Sequence, residues 1–277
     1  MNILIPKFVK WAGGKGQLLK QFELLFPNKF NRYLEPFVGS GAVFFYIVQK
    51  FEPSKIFISD INEELINAYE LIRDEVEKLI VELKRHKQSH FIEGKKYYLI
   101  IREKNPAELP PLERAARFLY LNKTCFNGLY RVNSRGKFNV PMGSYKNPDI
   151  VQEEKLRWVS KLLKNIIIKV SSFETVVNFA KQGDFIYFDP PYYPLEKGKS
   201  FTTYTKDAFL EDKQQKLAQV FKQLDKKGCL VMLSNSNTQF IKHLYFDYNL
   251  HLVQANRMIN CHGDKRGKIN EVVVTNY

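Results

Sequence analysis

Short apolar runs recur along this chain, and most of them stop at a polar or turn-forming residue. Tyr33-Leu-Glu-Pro-Phe-Val38 reads as a strand end, followed by Gly39-Ser-Gly-Ala42 and a helical run from about Val43 to Gln49. Lys55-Ile-Phe-Ile-Ser59 predicts a second strand that ends at Asp60. From Asn62 the spacing becomes helical, with Leu65, Ala68 and Leu71 on one face. Strand, glycine turn, helix, strand, acidic residue is the opening of a nucleotide-binding α/β fold. Strand patterning returns at 165–170, 184–188 and 228–233, with a helix predicted over 211–224. Segments 250–253 and 269–275 predict a terminal hairpin, and the polar stretch 260–268 between them predicts a mobile turn.

The middle of the chain has another character. From about 66 to 165 it is helix-rich and basic, with Arg85-His-Lys87, Lys95-Lys96, Arg114, Arg117 and Lys123. Segment 126–149 has little regular pattern and is rich in Asn, Gly, Arg and Lys. This predicts an α/β domain formed by 1–65 and 166–277, interrupted by an inserted helical domain over 66–165. The formal net charge of +14 and pI near 9.5 point to a polyanionic partner. Cys125, Cys229 and Cys261 are too few and too scattered for a disulfide framework or a CxxC zinc site. The five histidines show no ligand spacing, so no metal is expected. The first residues lack a signal-peptide layout and no apolar run approaches 18 residues, which predicts a cytoplasmic protein.

Candidate chemistry gathers in four places. In Asp184-Phe-Ile-Tyr-Phe-Asp-Pro-Pro-Tyr-Tyr193, a strand hands Asp189 to a rigid loop. Two prolines remove two backbone donors. The Asp189 carboxylate and the Pro190 carbonyl remain as acceptors, with Tyr192 as a flat surface, and such a cluster can hold an NH2 group on a planar ring. In Glu35-Pro-Phe-Val-Gly-Ser-Gly41, Gly39 and Gly41 permit close backbone approach. The third glycine of the dinucleotide fingerprint is absent, which argues against a pyrophosphate cradle. Asp60, 19 residues after Gly41, can take both ribose hydroxyls of an adenosine-containing ligand or cap the following helix. Lys10-Trp-Ala-Gly-Gly-Lys15 lacks the phosphate-loop spacing, and Lys15 can pair with a ligand carboxylate or a DNA phosphate. Segment 126–145 interleaves Arg131, Arg135 and Lys137 with Phe126, Tyr130 and Phe138. Arginine can read a guanine edge, aromatic rings can stack on or wedge beside bases, and Asn127 and Asn133 can serve bases or phosphates. The same segment also reads as a basic surface loop over core aromatics. No cysteine sits beside a proline in a cytosine-attacking arrangement.

Taken in order, Lys10–Lys15, Glu35–Gly41, Phe126-Asn-Gly-Leu-Tyr-Arg131, Gly136-Lys-Phe-Asn-Val-Pro141, Asp189-Pro-Pro-Tyr192 and Val273-Val-Thr-Asn276 resemble the Dam-like, D12-class family of adenine-N6 DNA methyltransferases. That family includes GATC-methylating enzymes of restriction–modification systems, and the resemblance covers nearly the whole chain. It implies a Rossmann-like S-adenosylmethionine-dependent methyltransferase sheet with an inserted helical DNA-recognition domain. It places the cofactor near Trp11, Ala12, Lys15, Phe37, Gly39, Ser40, Gly41, Asp60, Phe173 and Asp189, and a flipped adenine at Asp189, Pro190 and Tyr192. Arg131 falls where the family reads a guanine of GATC. Phe126 and Asn127 fall where it wedges into and braces the opened duplex, and Leu129 and Pro141 align with base contacts. Gly128, Asn133, Arg135, Lys137 and Asn139 complete the implied DNA surface. One departure is Ser171-Ser-Phe173, where relatives often carry Gly-Asp-Phe; Ser172 thus replaces an acid beside the cofactor's adenine. The implied partner is double-stranded DNA, with a cognate restriction endonuclease that need not touch this chain, itself a monomer or weak dimer. An RNA or protein amino-group methyltransferase of the same fold, or a silent DNA-binding protein, are the competing readings.

Overall fold

The computed structural model describes residues 3–133, 136–195, 209–256 and 268–277. A 3-10 turn (Lys15–Gln17) and short α1 (Leu19–Phe22) lead into β1 (Tyr33–Glu35), α2 (Ala42–Lys50), β2 (Ile56–Asp60) and α3 (Glu63–Asp74). Helices α4 (Val76–Glu93), α5 (Lys95–Glu103), α6 (Pro111–Thr124) and α7 (Glu153–Leu163) follow. The chain then forms β3 (Ile167–Val170), β4 (Phe185–Phe188), α8 (Glu211–Lys226), β5 (Leu230–Ser236), α9 (Gln239–Leu244), β6 (Asn249–Asn256) and β7 (Lys268–Thr275).

The strands form one sheet in the order β3-β2-β1-β4-β5-β7-β6. Paired neighbours from β3 to β5 run parallel, while β7 is antiparallel to both β5 and β6. The expected terminal hairpin is present, and its second strand, β7, is the one that joins the sheet. A parallel sheet must be covered on both faces, and the strands alternate accordingly. Phe185, Tyr187, Met232 and Val273 enter one core, whereas Ile186, Phe188, Val231, Leu233, Val272 and Val274 enter the other, with Leu217, Val220 and Phe221 of α8. Strand order reverses between β1 and β4, so the carboxyl ends of these two strands open a crevice, the usual ligand position in such sheets. The sequence pattern suggested a strand reaching residue 38. β1 stops at Glu35 because Pro36 has no N–H to continue the ladder.

Helix α3 starts where Asn62 caps it, the Asn62 Oδ1 accepting from the Leu65 N–H at 3.1 Å. Glu63 and Glu64 in its first turn and Arg73 in its last suit the helix dipole. It packs on β2 and β3 and also on α6 and α7, so it is shared between the sheet and the helices that follow it. Segment 126–149 is less irregular than its composition suggests. Antiparallel bridges join Cys125 to Met142 and Val132 to Phe138, and the Asn139 N–H donates to the Arg131 carbonyl at 3.1 Å. A hairpin this short is set by turn chemistry: Gly136 has φ 75°, which hydrophobic spacing does not reveal. Arg135 and most of the predicted mobile turn (260–267) lie outside the described residues. Among the described residues, no helix is long and apolar enough to cross a membrane.

Candidate functional site

Asp189 leaves the carboxyl end of β4 directly into the crevice. The loop it begins is fastened from below by two buried side chains. Gln214 Nε2 on α8 donates to the Pro191 carbonyl at 2.9 Å, and Asn235 Nδ2 on β5 donates to Gln214 Oε1 at 2.9 Å. Asn235 Oδ1 in turn accepts from the Tyr193 N–H at 3.1 Å. The Pro191 carbonyl is therefore occupied, whereas the Pro190 carbonyl accepts no hydrogen bond among the described residues. Neither Gln214 nor Asn235 stood out in the sequence, since a polar residue inside a helix or strand has no signature of its own. Gln214→Leu leaves the Pro191 carbonyl without its donor and the Asn235 amide buried and unpaired, the latter at roughly 1–3 kcal/mol. A lower thermal midpoint is the expected result, together with slower turnover as the loop loosens.

The carboxylate of Asp189 is one-fifth exposed, and its Oδ1 lies 2.8 Å from Lys15 Nζ. The ammonium also donates to the Gly13 carbonyl at 2.6 Å and sits 4.7 Å above the Tyr192 ring centre. Lys15 is thus turned inward onto Asp189, not outward to a phosphate. Burial pushes Asp189 up to about 6; the Lys15 charge and hydrogen bond oppose this, and Glu271 adds to it. Glu271 on β7 accepts from the Tyr192 hydroxyl at 2.7 Å. Below Asp189, Glu35 is buried and accepts from the Tyr33 hydroxyl at 2.6 Å. Burial drives the Glu35 carboxyl well above the usual range, with Asp189 adding repulsion. An ionised Asp189 beside a neutral Glu35 is the consistent charge state near pH 7.

Beside this acceptor pair the β1–α2 turn forms a second recess. Gly39 and Gly41 have φ of 48° and 73°, and a Cβ on Gly41 would lie 2.7 Å from the Tyr69 hydroxyl. That hydroxyl donates to the Gly39 carbonyl at 3.0 Å. A Cβ on Gly39 would meet the Trp11 indole at 3.0 Å, and one on Gly14 would meet Ser40 Oγ at 3.3 Å, so the two glycine segments face each other. Asp60 Oδ2 accepts from the Gly39 N–H at 3.2 Å and Oδ1 from the Asn62 N–H at 3.0 Å. A carboxylate has about four acceptor positions, so Asp60 retains capacity for a ligand hydroxyl. Burial pushes Asp60 up to about 6, against the Asn62 and Gly39 N–H groups. Asn62, not Asp60, supplies the helix cap. Phe37 stacks on Phe173 at 5.4 Å, and Phe209, which the sequence did not flag, meets both edge-on at 5.8 and 5.7 Å. Ser172 Oγ donates to Glu174 at 3.3 Å, so an acid stands beside the Ser171-Ser-Phe173 turn. Glycine turn, carboxylate and stacked rings are what an adenosine-containing cofactor needs: backbone approach, ribose acceptors and apolar faces.

The helical side reaches the site through Asn122 of α6. Its Nδ2 donates to the Lys10 carbonyl at 2.8 Å and to the Gly128 carbonyl at 3.1 Å, and its Oδ1 accepts from the Lys10 N–H at 2.8 Å. One buried amide thus joins the Lys10–Lys15 segment to the loop at 126–128. Trp11 stacks near Tyr130 at 6.1 Å, and Lys10 Nζ lies 3.9 Å above the Tyr145 ring. At the loop tip Phe126 is 51% exposed, and Asn127 holds a left-handed φ of 52°. Gly128 is buried against Lys10, and Leu129 and Asn133 are half-buried. Arg131, Lys137, Asn139 and Pro141 are exposed on the hairpin. Asn139 Oδ1 accepts from Arg131 Nε at 2.8 Å, which steadies the guanidinium. A half-exposed apolar ring and a steadied, exposed arginine on one loop segment are fitted to nucleic acid.

Comparison with known proteins gives one answer. The family model for D12 class N6 adenine-specific DNA methyltransferases matches residues 11–259. Type II methyltransferase M.MjaIII of Methanocaldococcus jannaschii is 47% identical, covering 99% of each chain. Type II methyltransferase M1.LlaDCHI of Lactococcus lactis subsp. cremoris is 46% identical over 100% of this chain and 97% of its own. The DNA adenine methylase of Haemophilus influenzae is 36% identical over 96% and 92%.

Proposed function

The chain belongs to the D12 class of N6 adenine-specific DNA methyltransferases, and from that premise we propose that Asp189 and the Pro190 carbonyl grip the amino group of an adenine flipped out of duplex DNA, within the sequence GATC. Its substrate is adenine in DNA and its methyl donor is S-adenosylmethionine. The observation that carries the proposal is the pair of acceptors at the β4 end: one ionisable carboxylate and one carbonyl that accepts no hydrogen bond among the described residues, on a clamped loop.

An exocyclic adenine nitrogen is a poor nucleophile, because its lone pair delocalises into the ring. Accepting both N–H groups draws the nitrogen toward a tetrahedral shape and aims the lone pair away from the two oxygens. Orientation of this kind supplies much of the rate when reacting atoms are held about 3–3.5 Å apart. The bound cofactor supplies an electrophilic methyl group on a sulfonium centre. Trp11, Ala12, Gly39, Ser40 and Gly41 would hold that cofactor, with Asp60 to accept from its ribose hydroxyls and Phe37 and Phe173 to offer apolar contact to its purine. As the amine nitrogen gains positive charge, ionised Asp189 stabilises it. Lys15 is bonded to Oδ1 of Asp189, which leaves Oδ2 to receive the base. Tyr192 stacks on the flipped ring, and Phe126 occupies the distorted duplex, which offsets part of the cost of unstacking.

The helices α4–α7 with the hairpin at 131–139 serve in this reading as the target-recognition unit. The motif order supports GATC, and the two type II relatives support a modification role alongside a restriction endonuclease. The test is transfer of tritiated methyl from the cofactor to duplexes that differ at single positions. Incorporation as N6-methyladenine confined to GATC is expected; equal labelling of a duplex with a substituted guanine would refute the assignment. The acid limb of that reaction is also predicted. Asp189 acts ionised and burial raises its pKa to about 6, so kcat/KM is expected to be level well above pH 6 and to approach a tenfold fall per unit well below it. A profile flat to pH 5 contradicts the role.

A further inference from the structure

We propose that Glu271 is a positioning residue for methyl transfer, acting through Tyr192 to hold its ring at the mouth of the Asp189 site. The inference rests on the reading of Asp189 and Tyr192 given above. The Tyr192 hydroxyl donates to Glu271 Oε2 at 2.7 Å. Glu271 lies on β7, paired with Ser236 of β5 on one side and Val253 of β6 on the other. Its backbone is therefore fixed by two neighbouring strands. A tyrosine ring has two side-chain torsions. Here its backbone end is held by the Gln214–Asn235 clamp and its hydroxyl end by Glu271. One ring face lies under the Lys15 ammonium. A ring fixed at both ends presents an unmoving platform to an incoming base.

The choice of a carboxylate argues for function. Glu271 is half-buried, and among the described residues no lysine, arginine or histidine pairs with it. Its charge opposes the ionisation of Asp189 that catalysis needs. Glutamine would accept the same hydroxyl without that repulsion. A charged acceptor makes a hydrogen bond roughly twice as strong as a neutral one, so what the carboxylate adds is a firmer hold on the ring. The phenol stays the donor throughout, because burial and the charges of Asp189 and Glu271 all raise its pKa. The groups facing Asp189 are Lys15 from the first turn, Tyr33 and Glu35 from β1, Tyr187 from β4, Tyr192 from its own loop and Glu271 from β7. Those facing Glu271 are Tyr192, Tyr187 and Asp189.

The experiment compares kcat, KM for duplex and S-adenosylmethionine affinity in Glu271→Gln, Glu271→Leu, Tyr192→Phe, Tyr192→Ala and the Glu271→Leu, Tyr192→Phe double variant. Glu271→Leu and Tyr192→Phe should each lower kcat about tenfold through misplacement of the base, with cofactor affinity unchanged. The double variant should be no slower than either single one. Glu271→Gln keeps a weaker acceptor and should have a kcat between those of wild type and Glu271→Leu, while the acid limb of its kcat/KM moves to lower pH because a negative neighbour of Asp189 is gone. It is also nearly isosteric and keeps the test open if Glu271→Leu does not fold. Wild-type kcat in Tyr192→Phe, losses that multiply in the double variant, or an unmoved acid limb in Glu271→Gln would each overturn the inference. If Tyr192→Ala itself keeps full activity, the platform role of Tyr192 is what fails. If only Tyr192→Ala is inactive, the role of Glu271 alone is lost.

Discussion

Asp189→Ala is expected to lower methyl transfer by about 10³-fold or more while S-adenosylmethionine still binds. Two effects combine in that figure. Loss of a preorganised charge at a developing cation costs about 10²–10³-fold, and loss of orientation adds to it. Asp189→Asn separates them, because an amide oxygen still accepts one N–H but carries no charge. It should fall between wild type and alanine. Removing the carboxylate also leaves the Lys15 ammonium, only 5% exposed, without its partner. Cofactor affinity, measured by calorimetry, checks that the fold survives. Substantial turnover by Asp189→Ala contradicts the assignment, whatever its stability.

Arg131→Ala is expected to relax recognition at a single guanine by roughly 1–3 kcal/mol, the value of a bidentate arginine–guanine contact. The expectation rests on the steadied geometry of Arg131, with Asn139 on its Nε. The readout is kcat/KM on GATC against duplexes substituted at each guanine in turn. Discrimination should collapse at one position and persist elsewhere. A loss equal on cognate and noncognate DNA, with a shallower salt dependence, would instead place Arg131 on the phosphate backbone.

Much of the fold was legible because its strands are short apolar runs punctuated by glycine, proline and acids. The apolar run 185–188 is buried on both faces of the sheet, and burial of this kind leaves an unbroken apolar stretch in the sequence. Asp189, the glycine turn and Asp60 were legible for a related reason: chemistry at strand ends leaves residue types that packing alone does not call for. What escaped was partnership across the chain. Glu271 meets Tyr192 across 79 positions, and Asn235 meets Gln214 across 21. Asn122 meets Lys10 across 112. Each is a single polar residue inside a regular element, and its partner is set by strand order and helix docking, which local spacing does not encode. Lys15 was legible as a site residue but not as the counter-ion of Asp189, because the direction of its side chain depends on where β4 lies beside the first turn.

The most direct measurement is a crystal structure of the enzyme with a GATC duplex and a non-transferable S-adenosylmethionine analogue. The expected result is an extruded adenine on Tyr192 whose amino nitrogen lies within hydrogen-bond distance of both the Asp189 carboxylate and the Pro190 carbonyl. An adenine still stacked in the duplex, or an extruded one whose amino group is bonded elsewhere, would refute the grip assigned to Asp189 and Pro190.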